Sequence, residues 1–390
     1  MSRPQQLSHW YERLASRLPQ LSQPQIWGLA CWSFAIVICR YCGLSRVALL
    51  MATLLDQNEN SVRERLRDLY RPADKKRGAK RQDLDVSQAT ADLLAWVAGD
   101  AKRLVLALDA TNLGDRFHIL VISVCCRGGA IPIAWRVLPA GQPDAWNPHW
   151  NAMLKQIKSV LDEDVTVLAL TDRGLESQSL FKSIKHAGFH PLMRLKQGSA
   201  KFRPAGWKRF YPLEDFAALG RFAAQGELYQ TNALACHLLI RHEKDQHDEA
   251  WILATDLPAA RPAWYAFRSW IEQGFKDFKR GGFHWQRTRM TDAARVERMW
   301  LALSLALLWT LEVGAELEVL DAGQVEPPES RTHSLTVRGQ ILILARLLSD
   351  AAPLWQHILV EDPPPLPDDP WPPGWPTPPP ITEQDFQNQR

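Results

Sequence analysis

Two short apolar runs, each closed by an aspartate, constrain this chain more than any other feature. Leu104-Val105-Leu106-Ala107-Leu108 ends in Asp109, and Val165-Thr166-Val167-Leu168-Ala169-Leu170-Thr171 ends in Asp172. Runs of this length and character read as central strands buried on both faces. Such strands need helices packed over them, so the fold class is α/β. Open α/β sheets place their sites beyond the carboxyl ends of strands, which is where both acids fall. Asp is also an ordinary turn former and helix cap, so neither acid points to function alone.

The neighbouring sequence extends the same sheet. Residues 117–125 and 130–138 are apolar and flank Arg127-Gly128-Gly129, a tight hairpin signal. Helical patterns follow at 148–161 and 177–187, with a strand at 190–195 between the second helix and a long excess segment. The order is three strands, then alternating helix and strand, as in a mixed sheet. Residues 198–257 carry alternating stretches at 226–231, 233–241 and 249–255 around a polar turn at 242–248. They read as a small antiparallel β-rich insertion.

A third acid lies in WYAFRSWIEQGFKDFKRGG. On one helix, Tyr265, Arg268, Glu272 and Lys279 fall at about 0°, −60°, −20° and −40°. They share a narrow polar stripe of roughly 21 Å. Trp264, Phe267, Trp270, Ile271 and Phe278 occupy the other side and are expected to bury it. Three carboxylates gathered at one sheet end repel one another and persist when cations neutralise them. Oxygen donors without His or Cys favour Mg2+ or Mn2+ over zinc. Two such ions suit an in-line phosphoryl displacement. Asp109, Asp172 and Glu272 are therefore the candidate catalytic residues and metal ligands, with Arg268 and Lys279 gripping phosphates and Tyr265 hydrogen-bonding another.

These residues form a pattern that resembles the DDE transposases of bacterial insertion sequences, in particular the YREK branch that forms the fourth insertion-sequence family. Asp109 in LALDATNLGD, Asp172 in LALTDRGLES and Tyr-x2-Arg-x3-Glu-x6-Lys at 265–279 carry the resemblance, which covers about residues 100–315. It implies a ribonuclease H-like core and cut-and-paste transposition of a mobile element. It also implies a homodimer on DNA and a β insertion that helps hold the transposon end. Arg173, in the Asp-Arg-Gly around the second acid, joins the DNA-binding candidates. Trp251 and Trp207 are candidate platforms for stacking a displaced base, although an indole in a strand is more often core.

Charge supports a nucleic-acid partner. Residues 1–81 hold 14 Lys and Arg against 6 Asp and Glu, whereas the whole chain is only +3. Such polarity suggests a basic arm on a more acidic body. That region reads as helices at 4–18, 25–41, 45–55 and 61–70. The last two form a candidate helix-turn-helix with Arg63, Arg65 and Arg67 on its second helix. Lys75, Lys76, Arg77, Lys80 and Arg81 form a basic linker able to contact phosphates. Cys39-x-x-Cys42 lacks a second pair for zinc, and the six cysteines suggest a reducing compartment. The apolar stretch 26–39 is too short to span a bilayer, so no membrane partner is expected. Long helices are expected at 292–315 and 335–348. Residues 363–380 hold 11 prolines, which predicts an extended, disordered Pro-rich tail.

The expected organisation is a helical domain over 1–70 and a basic linker with a helix over 71–99. The ribonuclease H-like core then occupies 100–197, with the insertion over 198–257, core completion over 258–350 and the tail over 361–390. The expected function is cleavage at the double-stranded terminal inverted repeats and joining of the 3′ ends to target DNA. The expected setting is the bacterial cytoplasm, at the nucleoid. Two alternatives stay open at this point: a ribonuclease H-like nuclease without strand transfer, and a non-catalytic, transposase-derived DNA-binding protein.

Overall fold

The computed structural model of the chain describes residues 4–76, 82–141, 145–242, 249–322, 331–349, 378 and 380–388. Among them, ten strands form one sheet in the order β3-β2-β1-β4-β5-β10-β9-β8-β6-β7. The first three are β1 (Arg103–Leu113), β2 (Phe117–Cys126) and β3 (Gly129–Pro139). They form an antiparallel meander. The β2–β3 loop is only Arg127 and Gly128, at φ 44° and 83°, and two positive φ values are what a twisted two-residue hairpin needs.

Strand β4 (Thr166–Thr171) runs parallel to β1, and β5 (His190–Arg194) runs parallel to β4. Two crossover helices, α6 (Trp146–Lys158) and α7 (Gln178–His186), make these parallel joins possible. Both central strands are buried on both sides, as their apolar runs require. In β1, Leu104, Leu106 and Leu108 enter one core while Val105 and Ala107 enter another. In β4, Val167 and Ala169 join the first core, and Leu168 and Leu170 the second. The mixed sheet and its helices are consistent with a ribonuclease H-like transposase fold.

Two sequence expectations are corrected here, at the end of β1 and at the end of the tail. First, β1 does not end at Asp109. It continues to Leu113 because β2 goes on pairing with it as far as Leu113↔Phe117. The antiparallel β-rich segment, for its part, extends the main sheet itself. Strand β10 (Trp251–Thr255) pairs antiparallel with β5, and β9 (Leu234–Arg241), β8 (Arg221–Leu228), β6 (Lys201–Pro204) and β7 (Tyr211–Pro212) follow outward. Second, the end of the tail is ordered. A short helix near the C-terminus (Glu383–Asn388) buries Phe386 against Trp207, Tyr211 and Phe216. Glu383 accepts hydrogen bonds from the backbone of Lys208 and Arg209 and from the Tyr211 hydroxyl. Residues 361–377 lie outside the described residues.

Helix α10 (Ala293–Ala322) organises the remaining layer. Its stretch Ala293–Glu316 is long and apolar enough to cross a membrane, yet residues 299–316 are all buried in the fold. The N-terminal helices α1 (Gln5–Arg17), α2 (Gln23–Cys39), α3 (Leu44–Leu55) and α4 (Glu59–Tyr70) have the expected places. Trp10 of α1 stacks on Trp309 at 5.1 Å, and Arg13 pairs with the buried Glu312 at 2.7 Å. Trp96 of α5 (Val86–Ala98) donates to the same carboxylate. Among the described residues all six cysteines are free.

Candidate active site

The alternation that buries β1 and β4 decides where their acids point. Asp109 shares its face with Val105 and Ala107, and Asp172 follows Thr171 in phase with Leu168 and Leu170. The two strands are in register at Leu108↔Thr171, so the acids emerge side by side. Each is braced locally. The Asp109 carboxylate accepts from Ala110 N at 2.7 Å, and that of Asp172 from Arg173 N at 2.6 Å.

The face above them is covered by a 3-10 segment, Pro262–Arg268, followed by α9 (Ser269–Phe278). The expected single helix is thus two helices of different pitch, and Lys279 caps the second in a non-helical conformation. Tyr265 is consequently not on an exposed stripe. It is 4% exposed, wedged edge-on against Trp251 at 5.4 Å, beneath the Arg194 guanidinium. Burial pushes its phenol pKa up. Trp264, Phe267 and Trp270 are only partly buried beside it, while Ile271 and Phe278 are fully packed. At Gly274 a side chain's first carbon would stand 2.7 Å from the Ala130 carbonyl oxygen of β3. The absence of one lets α9 sit close to the sheet and carries Glu272 to the strand ends.

Arg268 joins the three acids. Its guanidinium lies 3.0 Å from Asp109 Oδ2 and 3.4 Å from Asp172 Oδ2, and it pairs with Glu272 Oε1. The side chain is 12% exposed, against 15%, 31% and 53% for the three acids. Burial opposes the guanidinium charge, but Asp109, Tyr265 and Asp172 hold its pKa above the usual range. At Asp109 burial wins over the pull of Arg268, so its carboxyl is raised. Among the described residues no three acid, imidazole or thiol side chains close into a metal-binding group, because Arg268 stands between these three. The donors are nonetheless all carboxylate oxygens converging on one positive group, which fits a hard divalent cation.

Lys279 also turns toward β1. Its Nζ donates to Thr111 Oγ1 at 2.6 Å, and burial lowers its pKa while the nearby Asp109 opposes that. Thr111 is a site residue that lies outside the acid and Tyr-Arg-Glu-Lys pattern, although its i+2 spacing from Asp109 on a strand is a usable signal. Arg173 pairs with Glu249, and Arg194 lies 3.6 Å from the same carboxylate. No local signal marks Arg194 or Glu249. They meet only because β5 pairs with β10, with Arg194 opposite Leu253.

The other candidates are placed elsewhere. Trp207 is half-buried against Tyr211, Phe216 and Phe386. Trp251 lies under Arg241 and against Tyr265. On α4, Arg63 pairs with Glu59, Arg67 with Glu64, and Arg65 bonds Gln57. Lys75 neighbours Asp74 and Lys76 donates to Gln82 O. Arg77, Lys80 and Arg81 lie outside the described residues.

The α9 anchor contains a buried acid with a pH consequence. Asp277 is 3% exposed, accepts from Thr336 and Gln273, and is raised by burial to about 6. A folded pKa above the unfolded one means stability that is complete below about pH 3.9 and is lost as pH rises through the folded value. The loss amounts to on the order of 3 kcal/mol. Asp277→Asn should flatten the melting temperature between about pH 4 and 7; a slope equal to wild type would contradict this account.

No curated protein matches the chain. A family model does: residues 124–309 match the transposase DDE domain, a range that begins after Asp109 and includes Asp172, Arg268, Glu272 and Lys279. That match, on the fold and the acid cluster described above, supports a DDE transposase acting on DNA.

Proposed function

We propose that this chain cleaves DNA at transposon ends and joins the freed 3′ ends to target DNA, with Asp109, Asp172 and Glu272 as its metal ligands. The observation that carries this reading is the convergence of three carboxylates, from β1, the end of β4 and α9, on one cationic position. DDE transposase domains generally use divalent metal ions. When bound, a pair of Mg2+ or Mn2+ ions supplies Lewis-acid chemistry for in-line displacement at phosphorus.

The chain's own groups do the positioning. The sheet holds Asp109 and Asp172 rigidly, and α9, seated through Gly274, holds Glu272. Arg268 pairs with the acids and Lys279 lies close enough to feel Asp109, and the two grip the phosphates on either side of the scissile bond. Arg173 lies one residue beyond Asp172 and reaches the strand from the other flank. Tyr265 is a packing residue under Arg194 in this arrangement, and its hydroxyl acts through position, not exposure. Water, then the 3′ hydroxyl it liberates, attacks phosphorus, and a P–O bond breaks each time. No protein nucleophile is required. The expected partners are terminal inverted repeats and target DNA, with a homodimer at the nucleoid of a bacterial cytoplasm.

The test is an assay with duplex carrying the element's terminal repeats, Mg2+ and a supercoiled target. Joined products support transposition. Cleaved but unjoined ends favour a nuclease, and binding without cleavage a transposase-derived DNA-binding protein.

A further inference from the structure

A second positively charged surface lies where the N-terminal helices meet the segment between α9 and α10. It is a groove of about 540 Å3 lined by Arg46, Arg287, Arg289 and Arg295, with Tyr41 on its wall and Asp292 as its one acid. Asp292 is already engaged, since its carboxylate accepts from Arg295 N at the start of α10. Among the described residues none of the four arginines is ion-paired. Arg46 lies over the Tyr41 ring at 4.6 Å, and Arg295 Nε is buried without a hydrogen-bond partner. The neighbouring His284 senses the concentration of charge: burial first, and then Arg287, Arg40 and Arg46, hold its imidazole below the usual range.

This contrasts with α4. There Arg63 and Arg67 are matched by Glu59 and Glu64, and Arg71 by Glu64 and Asp68. Arg65 bonds the neutral Gln57, so one cation of that face is left without an acid and its net field is smaller than that of the groove. The groove has four cations against one committed acid.

The groove is also built into the catalytic strand. Arg116, on the turn after β1, donates to Thr288 O at 2.8 Å and to Met290 O at 2.6 Å. It thereby fixes the segment that follows the 3-10 turn Trp285–Arg287 and presents Arg287 and Arg289. Lys279 bonds Thr111 on the way. From Asp109 to the end of β1 is four residues, about 13 Å at strand rise. Strand β1 thus connects the acid cluster, by way of Thr111 and Lys279, to the Arg116 turn that borders the arginine groove.

We infer that this groove holds the sugar-phosphate backbone of the duplex beyond the cleavage point, at least about four base pairs away. The inference rests on the DNA-cleaving reading above and adds the path of the flanking duplex. Arginine suits the role because its planar fork pairs with phosphate oxygens in two places. These contacts position the duplex without reading its sequence.

The experiment is fluorescence anisotropy of a labelled duplex of arbitrary sequence with the full chain, over a series of salt concentrations. The variants are Arg287→Gln/Arg289→Gln, whose side chains are exposed, and Arg46→Gln/Arg295→Gln. Each pair should lower affinity on the order of tenfold and reduce the salt slope by about 1.8, at 0.9 per phosphate contact. The exposed pair should keep the wild-type melting temperature, so that its loss of binding is not a folding defect. Wild-type binding with unchanged slope and affinity in the exposed pair would overturn the groove assignment alone. Absence of duplex binding by the wild-type chain would overturn both this path and the reading on which it rests.

Discussion

Strand cleavage is expected to vanish in Asp109→Asn, in Asp172→Asn and in Glu272→Gln, with duplex binding near wild type. Each substitution keeps shape and removes one negative donor. The local braces survive, because an amide oxygen still accepts from Ala110 N or Arg173 N. A divalent ion contributes several kcal/mol of transition-state stabilisation, and each 1.36 kcal/mol is a factor of ten, so a loss of about 10³-fold or more is expected. Single-turnover cleavage in Mg2+, with anisotropy on the same samples, makes the measurement. Substantial cleavage by any one variant would remove that acid from the site.

The second large effect is at Arg268. Its guanidinium is shared by all three acids and is mostly buried. Arg268→Gln leaves those carboxylates facing one another without a counter-ion, in metal-free protein. Removing one partner of a buried pair costs about 3–5 kcal/mol, and the exposure of Glu272 brings the expectation down to about 2–3 kcal/mol. Millimolar Ca2+ or Mn2+ should restore much of that stability, and should bind the variant more tightly than wild type, because arginine and cation compete for the same oxygens. Scanning fluorimetry and calorimetry without DNA read both effects. A side chain that serves only to grip phosphate would leave the metal-free melting temperature and the ion affinity unchanged.

The parts of this molecule legible in the sequence are those set by local period and turn chemistry. The strand alternation around Asp109 and Asp172 placed both acids on one face, and Gly128 announced its hairpin. What the sequence concealed depends on distant pairing. A 100° period does not separate a 3-10 turn from an α-helix over so few residues, and the contact of Tyr265 with Trp251, from a strand that lies fourteen residues earlier, is invisible to it. The short elements β6, β7 and the helix Leu213–Ala218 between β7 and β8 carry too few residues for a periodic signal. The ordered end of the tail is masked by the prolines before it, although Phe386 finds a complete aromatic socket. The charge asymmetry pointed to the N-terminal region, but only Arg46 of the arginine groove comes from there, on α3; Arg287 and Arg289 precede α10 and Arg295 lies on it.

The N-terminal helices also differ in kind from a detachable arm. Trp10, Arg13 and Trp96 all close on α10. Removing residues 1–81 would expose a long apolar helix, so point substitutions are the cleaner probe of DNA contact there.

The antiparallel join between β5 and β10 limits how this protein can vary in length. Were the segment carrying β6 to β10 excised, β5 would become an outermost strand with an unsatisfied row of backbone donors and acceptors, a template for pairing with another chain. The excision would also take Glu249 from Arg173 and Arg194. Shortened descendants would thus tend to aggregate before they lost their chemistry. Tolerated insertions and deletions should gather at the far margin, around β6 and β7, where only the last strand pair is disturbed.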